Sequence, residues 1–193
     1  MTDRELIEGL SGRDRTAINY LVSTYQKKVI KTAYYFIGNL EDAEDLSQDI
    51  FLEIIKSIDN FRATSSFSTW LYRIIVNRSI NVIRKNSRRK IFENIGHLFQ
   101  TTNDPDDNTG KEPSVYCDPL EETETREFLN NAINKLSENQ RIAFVLNKYE
   151  ELSYKEIADI MSLSISSVES LIHRAKINLQ KRLVSHFSQY SIK

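Results

Sequence analysis

Apolar side chains recur at helical spacing along most of the chain. They fall every three or four positions in residues 18–36, and the same spacing continues in 43–58, in 70–75 and in 128–136. Gly38 interrupts the first stripe, and Asn39 follows it as a residue that suits a helix N-cap. The 5 Gly and 3 Pro are too few for a turn-rich β protein. The pattern therefore predicts an all-α fold.

The helical spacing fails between about Asn86 and Asp118, although RKIFENIGHLF at 89–99 retains some helical character, and it resumes at Phe128. The segment TTNDPDDNTGKEPSVYCDP, residues 101–119, holds all three prolines and two clusters of acids, a composition typical of a linker. Beyond it, SENQ at 137–140 and SYKE at 153–156 each match a helix capping box. We expect two small helical domains, residues 1–90 and 122–193, joined by a flexible acidic linker at 91–121.

Residues 153–183 predict a helix-turn-helix. A short helix carries Ile157, Ala158 and Met161, and SLS makes the turn with Leu163 pointing inward. Ser164 suits the cap of a second helix, whose buried stripe is Val168, Leu171, Ile172 and Ala175. The polar residues that remain on the other face are Ser166, Ser167, Glu169, Ser170, His173, Arg174 and Lys176. Short polar groups and cations on one helix suit a major groove, although a packed αα-hairpin has the same pattern.

Charged residues are segregated into basic and acidic blocks along the chain. The net charge is only −1, yet residues 60–93 hold eight Lys or Arg and one acid, and residues 94–127 hold nine acids and two Lys or Arg. A basic block attracts polyanions whatever the total charge. An acidic linker suits either a cationic channel or plain solvent.

The stretch FRATSSFSTWLYRIIVNRSINVIRK, residues 61–85, contains no acid. Aromatic rings flanked by cations are typical of sites for single-stranded nucleic acid, where bases stack on the rings. Asn77, Ser79 and Asn81 carry groups that read the edge of an unstacked base. Trp70 is also explained by simple burial. A helix that binds opened DNA accounts for the missing carboxylates, since each would repel phosphate.

Several classes of protein do not fit the sequence. His97, His173 and His186 lack the spacing of metal ligands, and no glycine-rich phosphate loop occurs, so we expect no metal, no cofactor and no enzymatic activity. No run is long enough to span a membrane, and the N-terminus does not match a secretory signal. The single Cys117 fits a reducing compartment. We therefore expect a cytoplasmic protein without membrane insertion.

Three segments together resemble the extracytoplasmic function (ECF) sigma factors of bacterial RNA polymerase. DAEDLSQDIFLEII at 42–55 resembles the family's core-binding helix, and FSTWLYRIIVNRSINVIRK at 67–85 resembles its promoter-melting and −10 recognition helix. LSYKEIADIMSLSISSVESLIHRAKINL at 152–179 is similar to its −35 reader. The segments follow in family order and cover nearly the whole chain except the linker.

The resemblance implies a promoter-specificity subunit with two sets of contacts in the first domain. The helix around Asp45, Gln48, Asp49, Phe51 and Leu52 would dock on the clamp of the largest polymerase subunit. The loop from Arg62 to Phe67 would capture a flipped base, and Trp70 would support strand separation. The full set expected at melted −10 DNA is Arg62, Ser65, Ser66, Phe67, Trp70, Asn77, Arg78, Asn81 and Arg84.

In the second domain the resemblance assigns the −35 element to the polar face of the helix-turn-helix. Glu169 departs from the family, many members of which have Arg or Lys there. A carboxylate only accepts hydrogen bonds, so it suits the N4 amino group of cytosine or, less well, the N6 amino group of adenine. Alternatively it pairs on the helix surface with His173 or Arg174. The implied partners are core RNA polymerase, promoter DNA and an anti-sigma factor.

Two other functions compete with this interpretation. A transcriptional regulator would use residues 128–190 as a helix-turn-helix and residues 1–90 for input or dimerisation, but it has no need for the arrangement from Trp70 to Arg84. A helical enzyme acting on nucleic acid would need clustered carboxylates to hold metal, and the basic blocks lack them.

Overall fold

The computed structural model describes the backbone of residues 1–62, 65–98 and 124–190, and the side chains of 1–62, 65–89 and 128–185. Within these ranges the regular elements are helices, as predicted. None of the described helices is long and apolar enough to cross a membrane. The α-helices are α1 (Asp3–Ser11), α2 (Arg15–Ile37), α3 (Leu40–Ser57), α4 (Phe67–Leu98), α5 (Glu124–Asn134), α6 (Glu138–Lys148), α7 (Tyr154–Met161) and α8 (Ile165–Tyr190).

Local capping sets the helix boundaries in the first half of the molecule (residues 1–98). Gly38 ends α2 with φ of 82°, a left-handed conformation that favours glycine. Asn39 then accepts a hydrogen bond from the backbone N–H of Asp42 at 3.0 Å, which confirms the predicted start of α3. The sequence analysis missed α1, although Thr2 and Glu5 form a capping box around its first turn.

Helices α2, α3 and α4 form the core of the first half. Their buried stripes include Leu21, Phe36, Ile50, Leu71 and Ile75, at the spacing that the sequence predicts. α4 is 32 residues long and continues to Leu98, so it extends beyond the expected boundary at residue 90. The rest of the expected linker, 99–121, lies outside the described residues.

In the second half (residues 124–190), one predicted capping box is present and the other is wrong. Ser153 accepts from the N–H of Glu156 at 3.3 Å, and the Glu156 carboxylate accepts from the N–H of Ser153 at 2.9 Å. The Ser153 hydroxyl also donates to the Glu156 carboxylate at 2.7 Å, and this bond, followed by the one from the backbone N–H of Ser153, holds the pKa of Glu156 below its usual value. Ser137 starts α6 without a hydrogen bond from its side chain.

The helix-turn-helix consists of α7, the turn at 162–164, and α8. Val168, Ile172 and Ala175 are buried as predicted, and the Ser164 hydroxyl accepts from the N–H of Ser167 at 3.2 Å as the expected cap. Leu163 does not point inward as expected, because it is 36% exposed. Within the predicted turn, Ser162 adopts the left-handed conformation with φ of 55°.

The two halves pack against each other. Their buried residues form one contiguous cluster from Leu6 to Leu179, and α4 contacts α7 while α2 contacts α5 and α6. At this boundary the rings of Tyr35 and Tyr149 lie 4.2 Å apart. A Cβ atom on Gly38 would lie 2.8 Å from the side-chain nitrogen of Asn134, so the glycine also leaves room for the second half.

The left-handed conformation of Ser162 predicts that glycine at this position stabilises the protein. An L-residue in the left-handed conformation costs about 1–2 kcal/mol, part of which is offset by the greater unfolded-state entropy of glycine. We expect Ser162→Gly to raise the free energy of unfolding by up to about 1 kcal/mol, measured by urea denaturation.

Ser166→Gly is the matched control for this change. Ser166 is an exposed serine in the first turn of α8, where glycine lowers stability by about 0.5–1 kcal/mol relative to a helix-forming residue. Destabilisation of the same size by both substitutions would contradict the conformation assigned to Ser162.

Candidate nucleic-acid interface

One exposed stripe on α3 carries four of the five residues expected to bind the polymerase. Asp45, Gln48 and Asp49 are exposed, and Leu52 is 52% exposed although it is a large apolar side chain. Positions 45, 48, 49 and 52 share a helix face. Phe51 belongs to the opposite face and is buried in the core, so in this structure it supports the helix rather than meeting a partner.

An aromatic cluster forms the start of α4. The ring of Trp70 lies 5.4 Å from that of Phe61 and 5.9 Å from that of Phe67. Phe67 is fully buried, whereas Trp70 and Phe61 are half-buried. One part of the Trp70 indole therefore packs on the core, as the burial interpretation predicts, and the rest faces solvent. The stacking of an unpaired base on this ring stays a prediction.

The loop before α4 is only partly described, since residues 63–64 lie outside the described ranges. Arg62 and Ser66 are exposed, and Ser65 is half-buried. The Ser66 hydroxyl accepts from the N–H of Thr69 at 3.1 Å, so it caps α4. This contact gives Ser66 a structural role at the place where a base-binding role was expected, and it fixes where the loop meets the helix.

Farther along α4, amides and cations occupy a solvent-facing stripe. Asn77, Arg78, Asn81 and Arg84 are all exposed. Arg78 forms a salt bridge with Glu53 of α3, and this holds its guanidinium beside the stripe. Ser79, which the sequence analysis grouped with the two asparagines, is fully buried and its hydroxyl has no hydrogen-bond partner within the described residues; it does not reach a base here.

The second candidate surface is the polar face of α8. Its members are exposed, and the opposite face is buried through Val168, Ile172 and Leu179. The helix therefore presents its polar groups to solvent over three turns, as a groove-binding helix requires. The exposed members are Ser166, Ser167, Glu169, Ser170, His173, Arg174 and Lys176.

Glu169 is the only acidic residue among these seven. Within the described part of the chain, neither His173 nor Arg174 forms a salt bridge with it. The surface pairing considered from the sequence is therefore absent, and the Glu169 carboxylate is available to accept a hydrogen bond from outside the molecule.

The sequence analysis missed a polar cluster centred on Glu150, just after α6. The Glu150 side chain is only 7% exposed. Its carboxylate accepts from the hydroxyls of Thr32 at 2.6 Å and Tyr72 at 2.5 Å, and the Lys28 amine lies 3.7 Å away. Burial and then the bond to Glu150 raise the pKa of Tyr72 well above its usual value, so Tyr72 donates its proton throughout the neutral range. No local pattern marks Glu150 as buried.

A polar cleft of about 680 Å³ opens beside the junction of α2 and α3, between the two halves. Arg141 lines it and is largely buried, which lowers the pKa of its guanidinium. One of its nitrogens lies 3.4 Å from the backbone oxygen of Asn134, so Arg141 supports the end of α5. Across the described residues, no group of three or more His, Cys, Asp or Glu could hold a metal ion.

Comparison with known proteins assigns both halves to one family. Residues 21–89 match the family model for sigma-70 region 2, and residues 128–179 match the model for sigma-70 region 4. The chain is 30% identical to the RNA polymerase sigma-H factor of Pseudomonas aeruginosa, with 94% of this chain and 93% of the relative covered. It is 33% identical to the ECF RNA polymerase sigma-E factor of Escherichia coli strain K12, with 91% of each chain covered.

Solved structures share the fold. CnrH, solved in complex with the cytosolic domain of CnrY, has a TM-score of 0.66 at 22% identity, with 95% of this chain and 97% of CnrH covered. The sigma factor RpoE from Bartonella quintana, solved with the anti-sigma factor NepR, has a TM-score of 0.61 at 23% identity, with 84% and 93% covered. Both likenesses extend over the two halves.

Proposed function

Since the chain belongs to the extracytoplasmic function sigma factors of bacterial RNA polymerase, we propose that its first half melts and reads the −10 element and its second half reads the −35 element. A sigma factor binds core RNA polymerase and directs it to promoters, where transcription starts. The division proposed here is between sigma region 2 in residues 1–90 and sigma region 4 in residues 122–193, with 91–121 between them.

The observation that carries the proposal is the stripe on α4. Asn77, Asn81 and Arg84 are exposed on the same face, and Trp70 lies toward the start of the same helix with part of its ring in solvent. Amides read base edges, cations bind phosphates and aromatic rings receive unstacked bases. A single DNA strand running along α4 meets these groups in turn.

The exposed stripe of α3 is the proposed polymerase contact. Carboxylates on one face, with Leu52 beside them, suit a partner helix that is basic and partly apolar. Charged groups at such a surface speed association and select the partner, while the apolar side chain adds buried area. The partner in this assignment is the clamp of the largest polymerase subunit.

The remaining parts of the proposal concern catalysis, cellular location and a regulatory partner. The sigma family consists of transcription factors that are not enzymes, and we assign this chain no catalysis of its own. The cytoplasm, where the polymerase works, is its proposed location. An anti-sigma factor is a proposed partner, supported by the complex of RpoE with NepR that shares the fold.

Run-off transcription with purified core RNA polymerase and a genomic promoter library tests the function as a whole. We expect transcripts that start at a defined set of promoters only when this chain is present. A chain that binds the library DNA but adds no new start sites would instead be a regulator with a helix-turn-helix.

The α3 assignment predicts that Asp45→Lys with Asp49→Lys weakens core polymerase binding by about fivefold, since two exposed ion pairs contribute about 1 kcal/mol together. Both positions are exposed, so circular dichroism and melting temperature should match those of the parent. Fluorescence anisotropy of the labelled chain measures the affinity. Glu151→Lys, a reversal at another exposed acid, is the control, and equal weakening by both changes would contradict the placement.

The α4 assignment predicts a melting defect for Trp70→Ala. A base stacked on the ring gains about 1–3 kcal/mol, and this gain exists only after the strands separate. Permanganate reactivity of −10 thymines should fall about tenfold on duplex DNA and recover on a promoter with a pre-melted bubble. Trp70→Phe keeps an aromatic ring and should lose less. Without recovery on the bubble, the role of Trp70 is packing against Phe61 and Phe67.

The α8 assignment predicts a changed preference for Glu169→Arg. We infer that the carboxylate accepts from the amino group of cytosine, so arginine should favour guanine at one base pair by about 1–3 kcal/mol of discrimination. Selection from randomised −35 sequences measures this. Gln180→Arg introduces an arginine at another exposed position of α8, with a charge change of +1 instead of +2, and should only raise affinity. An unchanged consensus in Glu169→Arg would show that Glu169 reads no base.

A further inference from the structure

The first turn of α8 carries one large apolar side chain among polar ones. Ile165 begins the helix and is 52% exposed, and Ser166 and Ser167 beside it are also exposed. The buried face of α8 is filled by other side chains, such as Val168 and Ile172, so Ile165 is not part of the core. In a groove-binding helix, residues near the N-terminus contact the base edges. Ile165 therefore lies where such a helix contacts bases.

The two serines of this turn are held by the helix cap. The Ser164 hydroxyl lies 2.7 Å from that of Ser167 and 3.1 Å from that of Ser166, and it accepts from the N–H of Ser167. A serine hydroxyl both donates and accepts, so it bonds to any base and discriminates weakly between bases. The serines therefore fix the shape of the turn, and discrimination by this turn depends on Ile165.

The chemistry of an isoleucine side chain favours one base over the other three. In the major groove, guanine, adenine and cytosine present hydrogen-bonding groups, and thymine alone adds a methyl group at C5. Contact of Ile165 with that methyl group removes apolar surface from water on both molecules. Contact with a polar edge would instead bury a donor or acceptor without a partner, which costs free energy. Ile165 therefore favours thymine.

The backbone around Ile165 fixes where its side chain can reach. The cap at Ser164 sets the start of the helix, and Val168, three residues farther on, is fully buried and anchors the first turn to the core. Isoleucine is β-branched and has few side-chain conformations in a helix, so it loses little entropy when it contacts a ligand. The helix therefore presents Ile165 to a groove in a nearly fixed position, which favours a specific contact.

Ile165 and Glu169 lie one turn apart on the same side of α8, and both are exposed. Four residues of a helix span about 6 Å along its axis. Since successive base pairs are about 3.4 Å apart, the two side chains face base pairs that are about two steps apart. The carboxylate accepts hydrogen bonds, whereas the isoleucine makes only apolar contacts. The two residues can therefore recognise different features of neighbouring base pairs in one groove.

We propose that Ile165 reads a thymine of the −35 element through its C5-methyl group, about two base pairs from the pair that faces Glu169. The inference rests on the proposed function, because it requires that α8 lie in the major groove of this element. An apolar side chain at the start of the helix adds a preference for thymine that the polar face of α8 does not supply.

The first test removes the methyl group from the DNA and leaves the protein unchanged. The complex of this chain with core RNA polymerase selects a −35 sequence from randomised DNA. Each thymine of the selected sequence is then replaced in turn by uracil in a labelled duplex, and fluorescence anisotropy measures the affinity of the complex. Replacement at one position should weaken binding by about fourfold, the effect of one buried methyl group. Uracil keeps the hydrogen-bonding groups of thymine, so the other positions should tolerate it.

The second test links the sensitive thymine to Ile165. With Ile165→Ala in the same complex, the thymine and uracil duplexes should bind equally well, and selection should no longer favour thymine at that position. Ile177→Ala is the matched control, because it makes the same change at a 38% exposed position of α8, about 18 Å farther along the helix. The control should retain the full uracil effect. Circular dichroism verifies that both variants are folded.

Three outcomes overturn the role of Ile165 and leave the proposed function intact. The selected −35 sequence contains no thymine that is sensitive to uracil, or the Ile165→Ala complex keeps the sensitivity of the parent, or Ile177→Ala loses the sensitivity to the same extent as Ile165→Ala. Failure of the complex to select any −35 sequence would instead overturn the proposed function, and the role of Ile165 with it.

Discussion

The buried side chain of Glu150 has to be matched with hydrogen-bond partners, and in this molecule those partners, the hydroxyls of Thr32 and Tyr72, lie on the other half of the chain. Thr32 and Tyr72 are themselves buried. If Glu150 were turned away, Tyr72 would lose this acceptor, whereas Thr32 could still donate to the carbonyl oxygen of Lys28. The alignment of α2 and α4 with the end of α6 follows from this requirement. The same alignment of the two halves brings the ring of Tyr35 against that of Tyr149. It also places Asn134 so close to Gly38 that no larger side chain fits there.

The elements that were predicted correctly depend on neighbours in sequence. Helical spacing identified the buried face of α8 through Val168 and Ile172, and the caps at Asn39 and Ser153 use groups three residues away. The polar face of α8 followed directly, because residues that do not belong to a buried stripe face solvent in a helix at the surface.

The errors share one physical cause. Whether Phe51 and Ser79 are buried depends on which helices cover them, and no spacing within α3 or α4 reveals this. Leu163 was assigned inward because the left-handed turn at Ser162, which redirects the chain, was not foreseen. Glu150 stands next to Glu151 with the same chemistry, and only contacts with distant residues separate a buried carboxylate from an exposed one. Tertiary contacts therefore determine the parts of the site that local patterns leave open.

The order of Tyr72 and Glu150 along the chain has a consequence for synthesis on the ribosome. Translation adds about 5–20 residues per second, and the 78 residues between Tyr72 and Glu150 therefore take roughly 4–16 seconds. α4 is complete once Leu98 has been made, but the second half that packs against it is still missing until the end of this interval. A newborn chain thus passes through a short period in which Arg73 and Arg84 of α4 have not yet met Asp159 and Glu138 of the second half.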